Sequence, residues 1–425
     1  MVDKLINKLR ECFTKVREHR YRNKQRSLND YLMLAFAMFH LKDSSLLFFR
    51  NNFDHRRSNL QQLYQIESIH SDTAIREAID GIAPEDLKQG FKVLFEELEQ
   101  SEVLASYKVL GEYYCCAVDG TQHYCSGSTS CPHCLEKTTS GKAKYYHQAL
   151  VGVMVKHGLK EVFPVSCEAI VKQDGKEKND CELNAAHRLI PQIRWVLPAS
   201  KYKLIGLFDG LYPNGQMIRN LKAQDMRYVM SIKEGYVLVQ VNRLREEGAL
   251  SSKEWKNDQG HRCRANWCKG LILNGQHQDI TVNYYEYEEY NKKGERVYCN
   301  TWITDLDITQ DNIVELVKVG RSRWKIENET FNTLKTQGYH LEHNYGHGKK
   351  NLATNFMLLT FLAFLIDQIA QSVDVAFKKA LKYCNNKKSF WEAVRSTFYV
   401  IPCRNWEHLY QVISKDVKFE VVFLE

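Results

Sequence analysis

Three acidic residues stand where phosphodiester chemistry would need them. Asp119 and Asp209 each follow a short apolar stretch and precede a glycine, and Glu327 lies in a helical stretch much further along the chain. Two-metal chemistry on a phosphodiester requires carboxylates from separate elements that converge on two ions. Ligands of this kind collect beyond the strand ends of open sheets. The pattern indicates that these three acids hold Mg²⁺ or Mn²⁺, although Asp-Gly pairs are also ordinary turn formers.

The helix around Glu327 supports the choice of the third acid. At helical spacing Arg323, Glu327, Phe331 and Leu334 fall on one stripe, so Glu327 shares a face with apolar residues. A carboxylate on such a face is costly unless it is paired or bound to a metal. Arg323 offers an alternative, because it can form an ordinary ion pair with Glu327 one turn later. Glu329 points to nearly the opposite side, so we prefer Glu327.

The elements around these acids predict a mixed α/β sheet. Strands are predicted at residues 113–118, 145–155, 161–165, 204–208 and 226–232, and helices at 180–190, 214–222 and 312–335. Asp119 and Asp209 directly follow the first and fourth of these strands. Three early strands followed by alternating helices and strands are typical of a mixed sheet with helices packed on it.

Three regions follow from the changing character of the sequence. Residues 1–105 are predicted to be helical and are rich in basic residues, which suits a DNA-binding domain as well as a solvated helical bundle. Residues 106–350 contain the sheet and the three acids, interrupted at 233–305 by a polar, β-rich insertion. Residues 351–425 are predicted to form a helical C-terminal region. Ser27 and Ser71 occupy helix-capping positions within the first region.

The composition favours a reduced, intracellular protein. The 425 residues carry a formal net charge of +8, which suits a polyanionic partner but is shared by many enzymes. The 13 cysteines are odd in number and scattered, unlike a disulfide framework. The N-terminus lacks the apolar core of a signal peptide, and the apolar stretch at 356–366 falls short of the ~18 residues of a membrane span. We expect a cytoplasmic protein without a membrane partner.

The motifs around the acids resemble one enzyme family. Val118-Asp119-Gly120-Thr121, Phe208-Asp209-Gly210-Leu211-Tyr212 and Arg323-Trp324-Lys325-Ile326-Glu327 resemble the DDE cut-and-paste transposases of bacterial insertion sequences. The similarity covers residues 110–350 and is closest to the branch with a Tyr-Arg-Glu-Lys signature around the last acid. It implies a ribonuclease-H-like catalytic core, a β-rich insertion before the last acid, a helical domain that binds transposon ends, and a homodimer that brings two ends together.

The sequence departs from the signature at two positions. The signature tyrosine would fall at Gly320, and the signature lysine would fall at Leu334. Lys335 lies one residue later, which turns it by about 100° around a helix. The resemblance carries over to Arg323, Glu327 and Lys335, with Arg323 and Lys335 as contacts to DNA.

Further DNA contacts are expected outside the signature. Some relatives use a tryptophan in the insertion to stabilise a flipped base, and Trp302 occupies a comparable strand; a tryptophan packed in the core is the alternative. Lys349 and Lys350 are expected to contact phosphates along the DNA path.

A short cysteine motif indicates a second kind of metal site. Cys131 and Cys134 have the Cys-x₂-Cys spacing of zinc ligands, and two further ligands would complete a structural Zn²⁺ site. The nearby candidates are His123, Cys125, His147 and Cys181. Plain reduced thiols in a hairpin loop are the alternative.

A histidine run after the Glu327 helix also resembles metal-ligand spacing. It consists of His340, His343 and His347. Because it follows the Glu327 helix so closely, contact with the transposon end is an equal interpretation, and we do not assign it as a metal site.

Together these patterns predict a Mg²⁺-dependent DNA transposase. It would cleave double-stranded DNA at transposon ends and join the 3′-OH to target DNA, as a dimer associated with the bacterial nucleoid. The insertion before the last acid favours a transposase over a compact nuclease or resolvase with the same core. A catalytically inactive DNA-binding derivative is a further alternative, which the presence of all three acids argues against.

Overall fold

A ten-stranded mixed sheet is the largest element of this computed structural model, which describes residues 1–20, 27–139, 141–172 and 180–417. The strands are β1 Tyr113–Ser126, β2 Leu135–Thr139, β3 Lys142–Val155, β4 Phe163–Ile170, β5 Lys203–Phe208, β6 Met226–Ser231, β7 Ser251–Lys256, β8 Arg262–Asn274, β9 His277–Tyr290 and β10 Arg296–Thr304. Their order is β2-β3-β1-β5-β6-β10-β9-β8-β7, and β4 pairs with β3. Part of the basic N-terminal stretch, residues 21–26, lies outside the described residues.

Fifteen α-helices are described, most of them before the first strand or after the last strand. They are α1 Val2–Thr14, α2 Leu28–His40, α3 Leu46–Asn51, α4 Phe53–Tyr64, α5 Asp72–Asp80, α6 Pro84–Gln100, α7 Glu182–Val196, α8 Gly215–Ala223, α9 Tyr236–Glu246, α10 Ile313–Arg321, α11 Asn332–Thr336, α12 Leu352–Val373, α13 Val375–Tyr383, α14 Lys387–Val400 and α15 Trp406–Ile413. A 3₁₀ turn covers Val103–Tyr107, and a π-helical turn covers Ile326–Phe331.

The first five long strands follow the predicted succession. β1 pairs antiparallel with β3, and β3 pairs antiparallel with β4. β5 and β6 then add in parallel on the other side of β1. Parallel strands need a crossover connection, which α7 provides before β5 and α8 before β6. The predicted strands and the later alternation of helices and strands are observed, but a fourth strand, β2, which was not predicted, also precedes α7.

The β-rich insertion continues this sheet. Its last strand, β10, pairs antiparallel with β6 from Trp302↔Ser231 to Thr304↔Val229, and β9, β8 and β7 follow outward. The predicted β-rich character is confirmed, but the four strands do not form a sheet of their own. The insertion also opens with α9, which was not predicted because its polar residues hide the buried pair Val237 and Val241 on one face.

The helices of both chain ends form one body. Ser27 accepts a hydrogen bond from the Asp30 N–H at 3.2 Å and Ser71 caps α5, so both predicted helix starts are confirmed. The Asn59 amide donates to the Ile401 carbonyl at 2.8 Å, across the two predicted helical regions. α12 packs against α2, α5 and α6 on one side and β4 on the other.

Among the described residues, α12 is the one helix long and apolar enough to cross a membrane. Most of its apolar window, 83%, is buried inside the protein. A core helix covered on all sides has the same composition.

Candidate active site at the edge of the sheet

The strand register places Asp119 and Asp209 side by side. β1 and β5 pair in parallel up to Ala117↔Leu207. Each aspartate lies two residues beyond this last pair, and side chains alternate along strands, so the two project from the same face at the same level. Contrary to the prediction, Asp119 lies within its strand and not at its end. β1 continues to Ser126 along β3, with Asp119 opposite Val151, and only β5 leaves it at this point.

The glycine after Asp119 serves a different purpose from the predicted turn. Neither Gly120 nor Gly210 has a positive φ. Gly120 lies in the extended strand, where a Cβ would collide with Oε1 of Glu182. The missing side chain therefore admits a fourth carboxylate beside Asp119.

Glu327 lies on a π-helical turn. The predicted continuous helix at 312–335 is interrupted: α10 ends at Arg321, the π turn follows at Ile326–Phe331, and α11 completes the segment. Ile326 and Phe331 are buried and the turn packs on β1, while the Glu327 side chain stays 37% exposed. π turns are rare inside helices and often occur at functional sites.

Arg323 joins the first and third acids. Its Nη1 donates to Oδ2 of Asp119 at 2.8 Å, and its Nη2 donates to Oε1 of Glu327 at 3.3 Å. The local ion pair with Glu327 is therefore present. The same guanidinium also reaches across 204 positions of sequence to β1, so the local pair alone does not account for it.

Glu182 is a functional candidate that the sequence analysis missed. It is the first residue of α7, and its Oε1 accepts a hydrogen bond from the Gln148 amide at 2.6 Å. Burial raises the pKa of Glu182, and the charge of Asp209 raises it further. Acidic residues are common in the first turn of any helix, so nothing in the local sequence distinguishes this one.

The excess of negative charge at this edge shifts protonation. Burial raises the pKa of Asp119 to about 7, Glu327 and Asp209 add to the rise, and Arg323 opposes it. Burial also raises the pKa of Tyr212, with contributions from Glu182, Asp209 and Asp119. The Tyr212 hydroxyl is buried without a hydrogen-bond partner among the described residues. Four carboxylates and one arginine give the site an excess of negative charge, which would favour the binding of cations.

The site opens onto a groove of about 750 Å³. Asp209, Arg323 and Trp324 line it together with Lys233 and Tyr236. Trp324 is 45% exposed, and the Arg323 guanidinium lies 5.0 Å from its ring centroid. Trp324 belongs to the motif around Glu327 that carries the family resemblance, and no role was predicted for it.

Trp302 is placed differently from the expected DNA contact. It is 1% exposed and stacks on Tyr285 with ring centroids 5.0 Å apart. Trp302 was expected to contact DNA, but it is packed in the core, which was the alternative interpretation. A Cβ on Gly320 would lie 2.7 Å from the Trp302 ring. A larger side chain at this position would have to displace the Trp302 or Tyr285 ring.

The three predicted lysines lie outside the residues that line the groove with Asp209. Lys335 forms an ion pair with Glu342, with Nζ and Oε1 2.9 Å apart. Lys349 and Lys350 have exposed side chains, and their backbone N–H groups donate to the Asp80 carboxylate just before α12.

A second cluster brings together four metal-ligating side chains. Cys131, Cys134, His147 and His347 have ligand atoms that all lie within 4.8 Å of one another, an arrangement compatible with Zn²⁺. The two predicted cysteines are confirmed as members of this cluster, and so is His147 among the proposed partners. His347, which was left unassigned on the sequence, belongs to the same cluster.

The other proposed partners do not belong to this cluster. His123 stacks on His147, with ring centroids 5.6 Å apart, while Cys125 and Cys181 are exposed. His340 and His343 are likewise not members.

Comparisons with known proteins complete the description of the site. No protein-family model matches the sequence, and no curated protein matches it. Among solved structures, the cryo-EM structure of a piggyBac transposase synaptic complex with hairpin DNA is similar to this chain with a TM-score of 0.41 and 10% sequence identity. The similarity covers 97% of this chain and 79% of that one. A likeness at this level does not establish a common fold or function.

Proposed function

We propose that this protein is a DNA transposase that cleaves transposon ends and joins the 3′-OH to target DNA. The observation that carries the proposal is the placement of three acids from separate elements around one arginine and one groove. Asp119 comes from β1 and Glu327 from the π turn, and Arg323 contacts both. Asp209 comes from the end of β5 and lines the groove together with Arg323. Two-metal phosphodiester chemistry requires carboxylates from separate elements at one site.

We further propose that the core is ribonuclease-H-like. Three antiparallel strands, β1, β3 and β4, followed by two parallel strands that are each entered from a helix, support this assignment. Asp119 and Asp209 belong to neighbouring strands, and Glu327 lies on the π turn that packs on β1.

The carboxylates fit Mg²⁺ or Mn²⁺ as cofactors. Asp119, Asp209 and Glu327 would hold the ions, and Glu182 lies close enough to Asp209 to raise the local negative charge. When bound, two such ions activate the attacking oxygen and stabilise the leaving oxygen of a phosphodiester. Arg323 pairs with two of these acids, Asp119 and Glu327, in the structure described. If the acids held cations instead, its guanidinium would be free to bind a phosphate oxygen.

The groove beside the acids provides a path for DNA. Lys233 and Arg323 supply positive charge, and Trp324 and Tyr236 supply aromatic faces on which unpaired bases can stack. Lys349, Lys350 and Lys335 are proposed to bind phosphates further from the reaction centre. We propose that two copies act together on a pair of double-stranded transposon ends in the bacterial cytoplasm.

Strand cleavage tests the proposal. The full-length protein is incubated with a DNA duplex carrying the inverted repeat that flanks its gene, with Mg²⁺ or Mn²⁺. We expect nicking at the repeat boundary for wild type, and a loss of at least about 10³-fold for Asp119→Ala, Asp209→Ala and Glu327→Ala. Asp279→Ala is the matched control, because Asp279 is exposed and forms a surface ion pair with Arg219.

Each other outcome contradicts part of the proposal. Cleavage that follows DNA shape and ignores the repeat identifies a nuclease or resolvase of the same core. Binding to the repeat without cleavage in either metal identifies an inactive DNA-binding derivative. Undiminished cleavage by Glu327→Ala shows that the third acid is another residue.

A further inference from the structure

The cluster of Cys131, Cys134, His147 and His347 draws on three separate parts of the chain. The two cysteines lie in the connection between β1 and β2, His147 lies on β3, and His347 lies between α11 and α12. Cys134 and His347 are 213 positions apart in sequence. Three of the four side chains are buried and Cys131 is partly buried.

The spacing of the ligand atoms is that of a tetrahedral zinc site. A Zn²⁺ ion with Zn–S of about 2.3 Å and Zn–N of about 2.0–2.1 Å would hold two sulfurs about 3.8 Å apart, two nitrogens about 3.3 Å apart, and a sulfur and a nitrogen about 3.6 Å apart. The two Sγ atoms are 3.7 Å apart, and the His147 Nε2 and His347 Nδ1 atoms are 3.3 Å apart. Three of the four sulfur–nitrogen distances are 3.3, 3.4 and 3.8 Å, and the fourth, between Cys131 and His347, lies within 4.8 Å.

The backbone around the two cysteines agrees with a metal site. The Cys134 N–H donates to the Cys131 carbonyl at 3.1 Å, and the Cys131 N–H donates to Cys134 Sγ at 3.3 Å, so a tight turn holds the two residues together. The Sγ–Sγ distance is far longer than the about 2.05 Å of a disulfide.

We propose that Cys131, Cys134, His147 and His347 bind one structural Zn²⁺ that fastens the segment after the Glu327 turn to β1 and β3. Four protein ligands fill the tetrahedron and leave no position for a substrate, so the ion is structural and not catalytic. The proposal that these residues bind zinc is independent of the proposed function. The importance of holding Glu327 in place rests on the proposed function, in which Glu327 is a catalytic acid.

The segment that carries His347 is the link between zinc and Glu327. It leaves α11 directly after the π turn, and the Leu341 N–H returns to the Leu334 carbonyl at 3.1 Å. The His347 ring packs edge-on against Tyr124 of β1, with centroids 3.9 Å apart. Because β1 also carries Asp119, the ion ties together the two elements that present the first and third acids.

Metal analysis of the purified full-length chain tests the proposal. We expect about one zinc ion per chain for wild type, and visible absorption of tetrahedral cobalt with thiolate ligands after exchange for Co²⁺. Cys134→Ser and His347→Gln should lose the zinc. Cys125→Ser and His343→Gln are the matched controls, since each changes a neighbouring residue of the same type outside the cluster, and they should retain it.

The role of the ion is tested by hydrogen exchange across residues 338–350, without DNA. We expect a chelator or His347→Gln to raise exchange in this segment at least about 10-fold, while His343→Gln leaves it unchanged. If Cys134→Ser does not fold, the His347→Gln variant and zinc titration of the chelated wild type carry the test.

Several results would overturn the proposal. Wild-type protein without zinc and without a cobalt spectrum overturns the site, as does a disulfide between Cys131 and Cys134. Full zinc retention in His347→Gln overturns the four-residue ligand set. Unchanged exchange after zinc removal overturns the fastening role. None of these readouts involves cleavage, so they separate this inference from the transposase proposal.

Discussion

Two groups of buried charges in this protein are built on opposite principles. In the helical body, Asp367 of α12 contacts Lys42, and its Oδ1 lies 3.1 Å from Nε2 of His40. The Tyr339 hydroxyl donates to the same carboxylate. These side chains are at most 4% exposed in the two ion pairs, and one carboxylate faces one lysine. Burial lowers the pKa of Lys42 to about 7, and Asp367 opposes that shift. We call this group the α12 ion network.

At the edge of the sheet the charges are not matched. Arg323 pairs with Asp119 and Glu327, and Asp209 lines the groove beside it. Among the described residues, no other cation forms an ion pair with these three acids or with Glu182. Burial alone would raise the pKa of Asp367, but Lys42 and His40 outweigh it and lower that pKa, whereas the pKa of Asp119 rises to about 7. Buried charges that are paired within the protein contribute to the fold. An excess of buried negative charge indicates a site where a bound cation would supply the missing positive charge.

The strongest test of this comparison removes the cation of the α12 ion network. Lys42→Met should lower the free energy of unfolding by about 3–5 kcal/mol, because it leaves Asp367 buried without its main partner. Urea unfolding measures the change. Lys379→Met is the control: it breaks an exposed pair with Asp416 and should cost less than about 1 kcal/mol. Equal effects in the two variants would remove the distinction between the groups.

Two tryptophans allow the same contrast with uncharged side chains. Trp324→Ala should weaken binding of single-stranded DNA by about 1–3 kcal/mol, because a stacking face is lost from the groove. Its free energy of unfolding should change little. Trp302→Ala should instead destabilise the fold by about 3–5 kcal/mol. Fluorescence-anisotropy titration and urea unfolding separate the two, and a stability loss in Trp324→Ala that equals that of Trp302→Ala would contradict the assignment.

The unmatched charge of Asp119 predicts a dependence of stability on pH. Its pKa is about 7 in the folded protein against an ordinary value of 3.8, so the folded state binds the proton more tightly. The resulting stabilisation is complete below about pH 4 and is lost as the pH rises to about 7.

Asp119→Asn should therefore be more stable than wild type at pH 8 in metal-free buffer. We expect a gain on the order of 1 kcal/mol that disappears towards pH 4. Urea unfolding at pH 4, 6 and 8 with a chelator measures it, and the surface variant Asp279→Asn should show no such trend. A loss of stability at pH 8 would mean that Arg323 matches this charge as fully as Lys42 matches Asp367.

The smallest effect concerns the fourth carboxylate. Glu182→Gln keeps a side-chain oxygen for the Gln148 amide but removes a charge beside Asp209. The affinity for Mn²⁺ should fall a few-fold, which is less than about 1.4 kcal/mol. Isothermal titration calorimetry measures the change. An unchanged affinity would limit Glu182 to its hydrogen bond with Gln148.

Signals that are local in sequence predicted most of the core. The strand expected at 204–208 is observed as Lys203–Phe208, and the helix expected at 214–222 begins after its Asn214 cap. Apolar runs and capping residues act within a few positions, so one sequence reveals them. The choice of Asp119, Asp209 and Glu327 as neighbours combined such signals with a family resemblance.

Features that depend on distant partners were not predictable in the same way. Glu182 becomes part of the site only because Gly120 leaves room for it on another strand. His347 becomes a ligand only because the segment after α11 returns to β3. The π turn at Glu327 interrupts a pattern that otherwise reads as a continuous helix, since one extra residue per turn leaves no mark in composition.

The position of α12 in the fold has a consequence for how the chain matures on the ribosome. α2 is apolar on nearly every side, and α12 packs against it. Lys42, which follows α2, pairs with Asp367, which is synthesised 325 positions later. At about 5–20 residues per second, that interval lasts roughly 15–65 s. Throughout it α1 and α5 can cover part of α2, but the face that contacts α12 stays open and Lys42 lacks its carboxylate partner. One of the first parts of the protein to be synthesised is therefore among the last to be completed.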